Sequence, residues 1–275
     1  VRRLAAVAAI VLVALAVSYA GYRVVRRSLP PLPAVVMRDA DVDALVAPPL
    51  GARVRRAIFG SAVDRRVAGP KLVALTFDDG PYPVDTPALL AALHDAGVPA
   101  TFFLIARDAD QYPGLVRAIA AAGDEIGNHT QTHPNLDQLD DAAVQQQIRA
   151  AATDLRRYAD VPSEHTLFRP PHGRFRPATL AVAQRNGYDT IFWTDDPGDW
   201  RNVAPVTIVD HIARFATSPE IVLLHSGRRP TTDALPQIVA RYRAAGYTFV
   251  TVGEMLRRVS PDQLNRAART PLTGS

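Results

Sequence analysis

From Lys71 onward, short apolar runs alternate with longer helix-patterned segments, and this alternation constrains the fold more than any other feature of the chain. KLVALTF, ATFFLIA, EIGNH, TLFRP, TIFWT, EIVLLH and TFVTV read as seven strands. Between them TPALLAALHDAG, YPGLVRAIAAAG, DDAAVQQQIRAAATDLRRYA, RPATLAVAQRNG, PVTIVDHIARFA and TDALPQIVARYRAAG read as helices. Gly97, Gly123, Gly187 and Gly246 each stand where one of these helices should end in a left-handed residue. Each crossover helix returns the chain to the same end of the sheet, so the strands must run parallel. Seven such units without a glycine-rich phosphate loop predict an α/β fold, a distorted (β/α)7 barrel rather than a doubly wound nucleotide-binding sheet.

The 275-residue chain is long enough for one large domain, and its net charge of +4 calls for a location before an interpretation. Residues 1–27 hold Arg2, Arg3, Arg23, Arg26 and Arg27 and no acid, a charge of +5 that leaves the remainder at −1. A folded domain without a basic stripe is a poor match for phosphate backbones, so no nucleic-acid partner is expected. Residues 4–22 are apolar or small apart from Ser18 and two tyrosines, and they just reach the length that spans a bilayer. Residues 1–27 therefore read as a membrane anchor or a signal segment, with Arg23, Arg26 and Arg27 favouring an uncleaved anchor over cleavage near Ser18-Tyr19-Ala20. Residues 28–70, with Pro30, Pro31 and Pro33 at their start, read as a linker and N-terminal extension. The catalytic domain is assigned to 71–259 and a polar tail to 260–275.

Polar residues that need explaining collect at the C-terminal ends of the predicted strands, the rim where barrel loops converge. They are Asp78 and Asp79, His129 and His133, Arg169, then Asp196, Asp199 and Trp200, and last His225. The absence of cysteine means that any metal here must be held by His, Asp or Glu. His129 and His133, four apart, would face one ion if their segment made a helical turn. One carboxylate of the Asp78-Asp79 pair could complete a two-histidine, one-carboxylate site while the other serves as a base. Gly80-Pro81 would turn the chain away without a side chain crowding the metal. Such a ligand set also suits non-haem iron oxygenases, but a second carboxylate and a strand-end histidine are what hydrolysis requires. RPPHG could be no more than a rigid turn, but Arg169 could orient Asp78, and the two prolines would hold the following backbone N–H in a fixed direction.

TFDDGP, HTQTH, RPPHG, DPGDW and LLH occur in this order, and over Lys71 to Val259 the chain resembles the polysaccharide deacetylases, the carbohydrate esterases of the NodB homology domain. The resemblance implies a distorted (β/α) barrel that removes N-acetyl, or sometimes O-acetyl, groups from chitin-like or cell-wall polysaccharides. It implies Asp78 as catalytic base and Asp79, His129 and His133 as ligands of one divalent metal ion, zinc first and cobalt or another ion next. Arg169 would hold Asp78, Asp196 would tune the catalytic acid His225, and the backbone N–H of His172 would help stabilise the oxyanion. Trp200 and Leu223 would wall the acetyl pocket. His172 departs from the aromatic residue common at its position, and Asp124 stands before EIGNH where a histidine is common.

The expected partners are an acetylated polysaccharide and, through residues 4–22, a membrane, with the domain outside the cytoplasm. Lys71 is the only lysine among 31 basic residues, which suggests a GC-rich genome and a bacterial wall, hence peptidoglycan, as substrate. Two alternatives share the motifs: an inactive glycan-binding protein, and an amidase or deformylase of a small or lipid-linked sugar.

Overall fold

The structure is a computed structural model that describes residues 36–37, 70–159, 166–216 and 218–259. The expected membrane segment at 4–22, the tail at 260–275 and all of the 28–70 linker except Val36, Met37 and Pro70 lie outside the described residues. Among the described residues no helix is long and apolar enough to cross a membrane.

All seven predicted strands are present: β2 (Leu72–Asp78), β3 (Ala100–Leu104), β4 (Glu125–Asn128), β5 (Leu167–Phe168), β6 (Asp189–Ile191), β7 (Glu220–His225) and β8 (Thr248–Phe249). A short β1 (Val36–Met37), inside the region read as linker, pairs antiparallel with β6. The sheet order is β1-β6-β5-β4-β3-β2-β7, with β8 also on β2, and every pair except β1 with β6 is parallel. Beyond β6 an isolated parallel bridge joins Asp195 to Val222, so the sheet curls back on itself as the barrel prediction requires.

Why the central strands read as unbroken apolar runs is visible in β2, every residue of which is buried. Its Val73, Leu75 and Phe77 pack outward against the helix layer, with Leu89, Leu93, Ile208 and Ile238. Its Leu72 and Ala74 point to the interior, with Phe103, Ile221 and Met255. A strand covered on both faces has no side to leave polar. The alternate interior positions turn polar toward the C-terminal end, through Thr76 to Asp78, both buried.

The six predicted helices are α1 (Asp85–Ala96), α3 (Pro113–Ala121), α4 (Asp141–Tyr158), α5 (Pro177–Arg185), α6 (Pro205–Phe215) and α7 (Arg229–Ala244). Gly97, Gly123, Gly187 and Gly246 all take the positive φ expected of helix ends. Two further helices were not expected: α2 (Ala106–Gln111) and α8 (Val252–Arg258) each begin on the last residue of a stretch read as strand and continue through residues assigned to no element. TFVTV stops being strand after Phe249 because Thr251 caps α8, its hydroxyl accepting from the Glu254 N–H. Helix α8 then closes the N-terminal end of the barrel. The Glu125 carboxylate accepts from the Gly253 N–H at 2.9 Å, and Val252, Met255 and Leu256 join the interior cluster.

Candidate active site

Parallel register places the site. Asp78 of β2 is the direct partner of His225 of β7, so the ends of two neighbouring strands present a carboxylate and an imidazole side by side. Asn128 of β4 pairs with Phe168 of β5, which sets His129 beside Arg169. Side chains alternate along a strand, so Asp79 should face away from Asp78. It does not, because Asp79 leaves the strand with a left-handed φ of 72°. Gly80 follows at φ 70°, and a Cβ there would come within 2.9 Å of the Ser226 hydroxyl, so the glycine expected at this turn is required by both backbone and space.

The helical turn expected across His129 to His133 does not form. Thr130 and His133 both have left-handed backbones, at φ 72° and 61°. The Asn128 side chain accepts from the Thr130 N–H at 2.8 Å, and the Thr130 hydroxyl accepts from the His133 N–H at 3.0 Å. These local bonds, with Pro134 disfavouring helix at His133, replace the helical ladder. The two imidazoles nevertheless converge, Nε2 to Nε2, at 3.2 Å.

His129 Nδ1 lies 2.8 Å from the Arg169 carbonyl oxygen, which can only accept, so Nδ1 carries the proton and Nε2 presents a lone pair. Asp79 Oδ1 lies 3.3 Å from His133 Nε2 and 3.8 Å from His129 Nε2, and it is buried without a hydrogen-bond partner. Three possible ligand atoms converge on one point where Asp79 Oδ1 has no hydrogen-bond partner, which fits a divalent cation held by Asp79, His129 and His133. Burial pushes both histidines down to about 4, keeping them neutral as ligands must be, and pushes the Asp79 carboxyl up.

Arg169 is fully buried behind the cleft and spends its guanidinium on four acceptors. Nη1 donates to Asp78 Oδ1 at 2.6 Å and to the Thr76 hydroxyl at 2.8 Å, while Nε and Nη2 donate to the carbonyls of Ile191 and Phe192. Burial raises the Asp78 carboxyl, but the Arg169 charge, with His129 and His225 beyond it, outweighs this and holds it below the ordinary value.

His225 is the opposite pole. Asp199, not Asp196, holds it: Asp199 Oδ1 accepts from His225 Nδ1 at 2.8 Å, and Oδ2 accepts from the His225 N–H and the Thr231 hydroxyl. Asp196 turns back onto its own loop, where Oδ1 accepts from the Gly198 N–H at 2.9 Å. Both acids of DPGDW are within reach in sequence, and only the buried, fully bonded one lies under the histidine. Burial opposes a charged imidazole, but the hydrogen bond and charge of Asp199 overcome it and push His225 up to about 9.

A cleft of about 350 Å³ joins these groups and is lined by Asp78, Asp79, His129, His133, His172, Asp196, Trp200, Leu223 and His225. Nine of the ten residues predicted from sequence thus meet in one cavity, with Arg169 behind it. The His172 ring is exposed and stands edge-on to His133, with centroids 4.4 Å apart and a left-handed backbone at φ 56°. Trp193 and Arg228 also line the cleft and were not expected. Trp193 lies in an apolar run that looks like core, and Arg228 is one of two adjacent arginines with nothing in sequence to separate them.

Residues 65–191 match the family model described as polysaccharide deacetylase. The chain is 38% identical over 192 residues to a peptidoglycan-N-acetylglucosamine deacetylase of Bacillus cereus, covering 68% of this chain and 89% of the relative. It is 36% identical over 181 residues to a chitooligosaccharide deacetylase of Sinorhizobium fredii, covering 66% and 83% of the two chains. The crystal structure of the Bc1960 peptidoglycan N-acetylglucosamine deacetylase superposes with a TM-score of 0.66 at 34% identity, covering 69% of this chain and 90% of that one.

Proposed function

Since this chain belongs to the polysaccharide deacetylase family, we propose that it removes acetyl groups from the amino sugars of a bacterial cell-wall glycan, with peptidoglycan as its substrate. The observation that carries the reading is one cleft with two opposite poles: Asp78, ionised beside Arg169, and His225, charged above Asp199. Hydrolysis of an amide needs a base for the attacking water and an acid for the departing nitrogen, and these poles supply them.

Asp79, His129 and His133 would hold one divalent ion, zinc by preference of the donor set and cobalt next. Bound there, such an ion supplies Lewis-acid polarisation of the acetyl carbonyl and a more acidic attacking water. Asp78 accepts the proton of that water at Oδ2, since Oδ1 is committed to Arg169. The His172 N–H, presented by the left-handed turn after Pro170-Pro171, donates to the developing oxyanion. His225 gives its Nε2 proton to the leaving amine while Asp199 keeps Nδ1 protonated. Leu223 and Trp200 wall the acetyl methyl group. In this reading the tuning role moves from Asp196 to Asp199.

The catalytic unit is residues 71–259, and it works outside the cytoplasm, tethered through residues 4–22. The test is acetate release from peptidoglycan, chitooligosaccharides and acetylated xylan, by protein stripped of metal and then resupplied with zinc or cobalt. Metal-restored release from peptidoglycan, abolished by Asp78→Asn, is the expected result. Release from none of the three by metal-loaded protein sinks the proposal.

A further inference from the structure

Most arginines on this side of the molecule are spent on protein groups, Arg201 by lying over the Trp200 ring at 4.7 Å and several others on carboxylates. Arg107 pairs with Asp108, Arg174 with Asp137, Arg176 with Asp141 and Arg229 with Asp233. Arg228, half-buried, lines the cleft beside Asp79, His225 and Trp200, yet its side chain makes no ion pair or hydrogen bond among the described residues. The acids nearby are already engaged. Asp78 is held by Arg169, Asp199 by His225 and Thr231, and Asp196 by Gly198, while Asp79 faces the two histidines.

A planar guanidinium aimed into a substrate cleft and unspent on the protein is matched in shape and charge to a carboxylate. The other cation of the lining, His225, is already paired with Asp199, so Arg228 is the lining cation left for such recognition. Trp193 and Trp200 offer flat apolar faces on which any sugar ring can stack, and the cleft aspartates repel an anion rather than attract it.

We infer that Arg228 binds a carboxylate carried by the glycan, so that this site selects an acid-bearing amino-sugar strand over a neutral one. The inference rests on the deacetylase reading above. In a cell-wall glycan the carboxylate comes from the lactyl ether of a muramic residue or from its peptide stem, and the chemistry presented to Arg228 is the same.

Three substrates of equal sugar length distinguish the cases. They are N-acetylated peptidoglycan strands freed of peptide with lactyl carboxylates exposed, the same strands with those carboxylates converted to methylamides, and strands bearing intact peptide stems. The zinc-loaded full chain is expected to prefer an acidic strand over the methylamide by about tenfold in kcat/KM, mostly through KM, as suits one charge-assisted contact. The preferred acidic strand identifies the source of the carboxylate. Arg228→Gln should bring that ratio close to one, and Arg228→Lys should leave it between. The ratio is taken within each protein, so a lower active fraction does not disturb it. Equal turnover by the unsubstituted protein, or a ratio that survives Arg228→Gln, overturns the inference and leaves the deacetylase reading standing. Release of acetate from none of the strands overturns both.

Discussion

At His225 two effects oppose each other: loss of hydration favours the neutral ring, and the Asp199 carboxylate at 2.8 Å favours the charged one. The outcome near 9 shows which dominates, and it sets the sign of two measurable effects. Because the folded-state value lies above the ordinary 6.5, the His225 contribution to stability is complete below about 6.5 and is lost as pH rises through about 9. Activity that needs its proton should fall over the same alkaline range. Asp199→Asn removes the opposing charge and leaves burial alone. The His225 ring should then titrate below its ordinary value in metal-free protein followed by NMR, and kcat should drop by about two orders of magnitude or more. A His225 titration that Asp199→Asn does not move would remove Asp199 from this role. Asp199 is a positioning residue here; the sequence reading gave this role to Asp196, and the fold put the other acid of DPGDW beneath the ring.

The elements around the site differ in how plainly the sequence announced them. Helices α1 and α4, periodic and long, are where their patterns put them, and β2 is legible because burial on both faces forces an apolar run. Helix α8 was hidden because Val252 follows an apolar stretch that reads equally well as strand, although Thr251 and Glu254 have the spacing of a capping pair. Its docking rests on Glu125, whose carboxylate accepts from the Gly253 N–H and from the Thr101 hydroxyl, while that hydroxyl accepts from the Val252 N–H. Glu125→Ala should therefore loosen the last helix, with a loss of about 2 kcal/mol in chemical denaturation. Faster hydrogen exchange confined first to 252–258 would identify the mechanism, whereas unchanged exchange there would show that apolar packing alone holds the helix. The histidine loop is the reverse case. Its residues were recognised, but the helical turn used to bring them together is absent, and two left-handed residues do the work instead.

Across the whole molecule, Arg169 links the barrel interior to the chemistry, joining β2 to the end of β6 and to Phe192 just after it while lying 4.0 Å over the Phe103 ring. Its removal leaves the Asp78 charge buried and unpaired, so Arg169→Met should cost about 3–5 kcal/mol in urea denaturation. The double variant with Asp78→Asn should recover much of that loss, and no recovery would mean that the arginine acts through packing alone. By itself the sequence determined the layering, the parallel order of strands and helices, and the group of rim residues that could carry chemistry. These follow from hydrophobic periodicity and from residue types whose donor and acceptor capacities are fixed. Only the tertiary structure decided which acid serves which base, how Asp78 and Asp79 come to share a cleft, and that Arg228 turns inward while Arg229 pairs with Asp233. The physical reason is that pairing depends on distances of a few ångströms set by strand register and left-handed turns, between residues up to 148 positions apart in the chain.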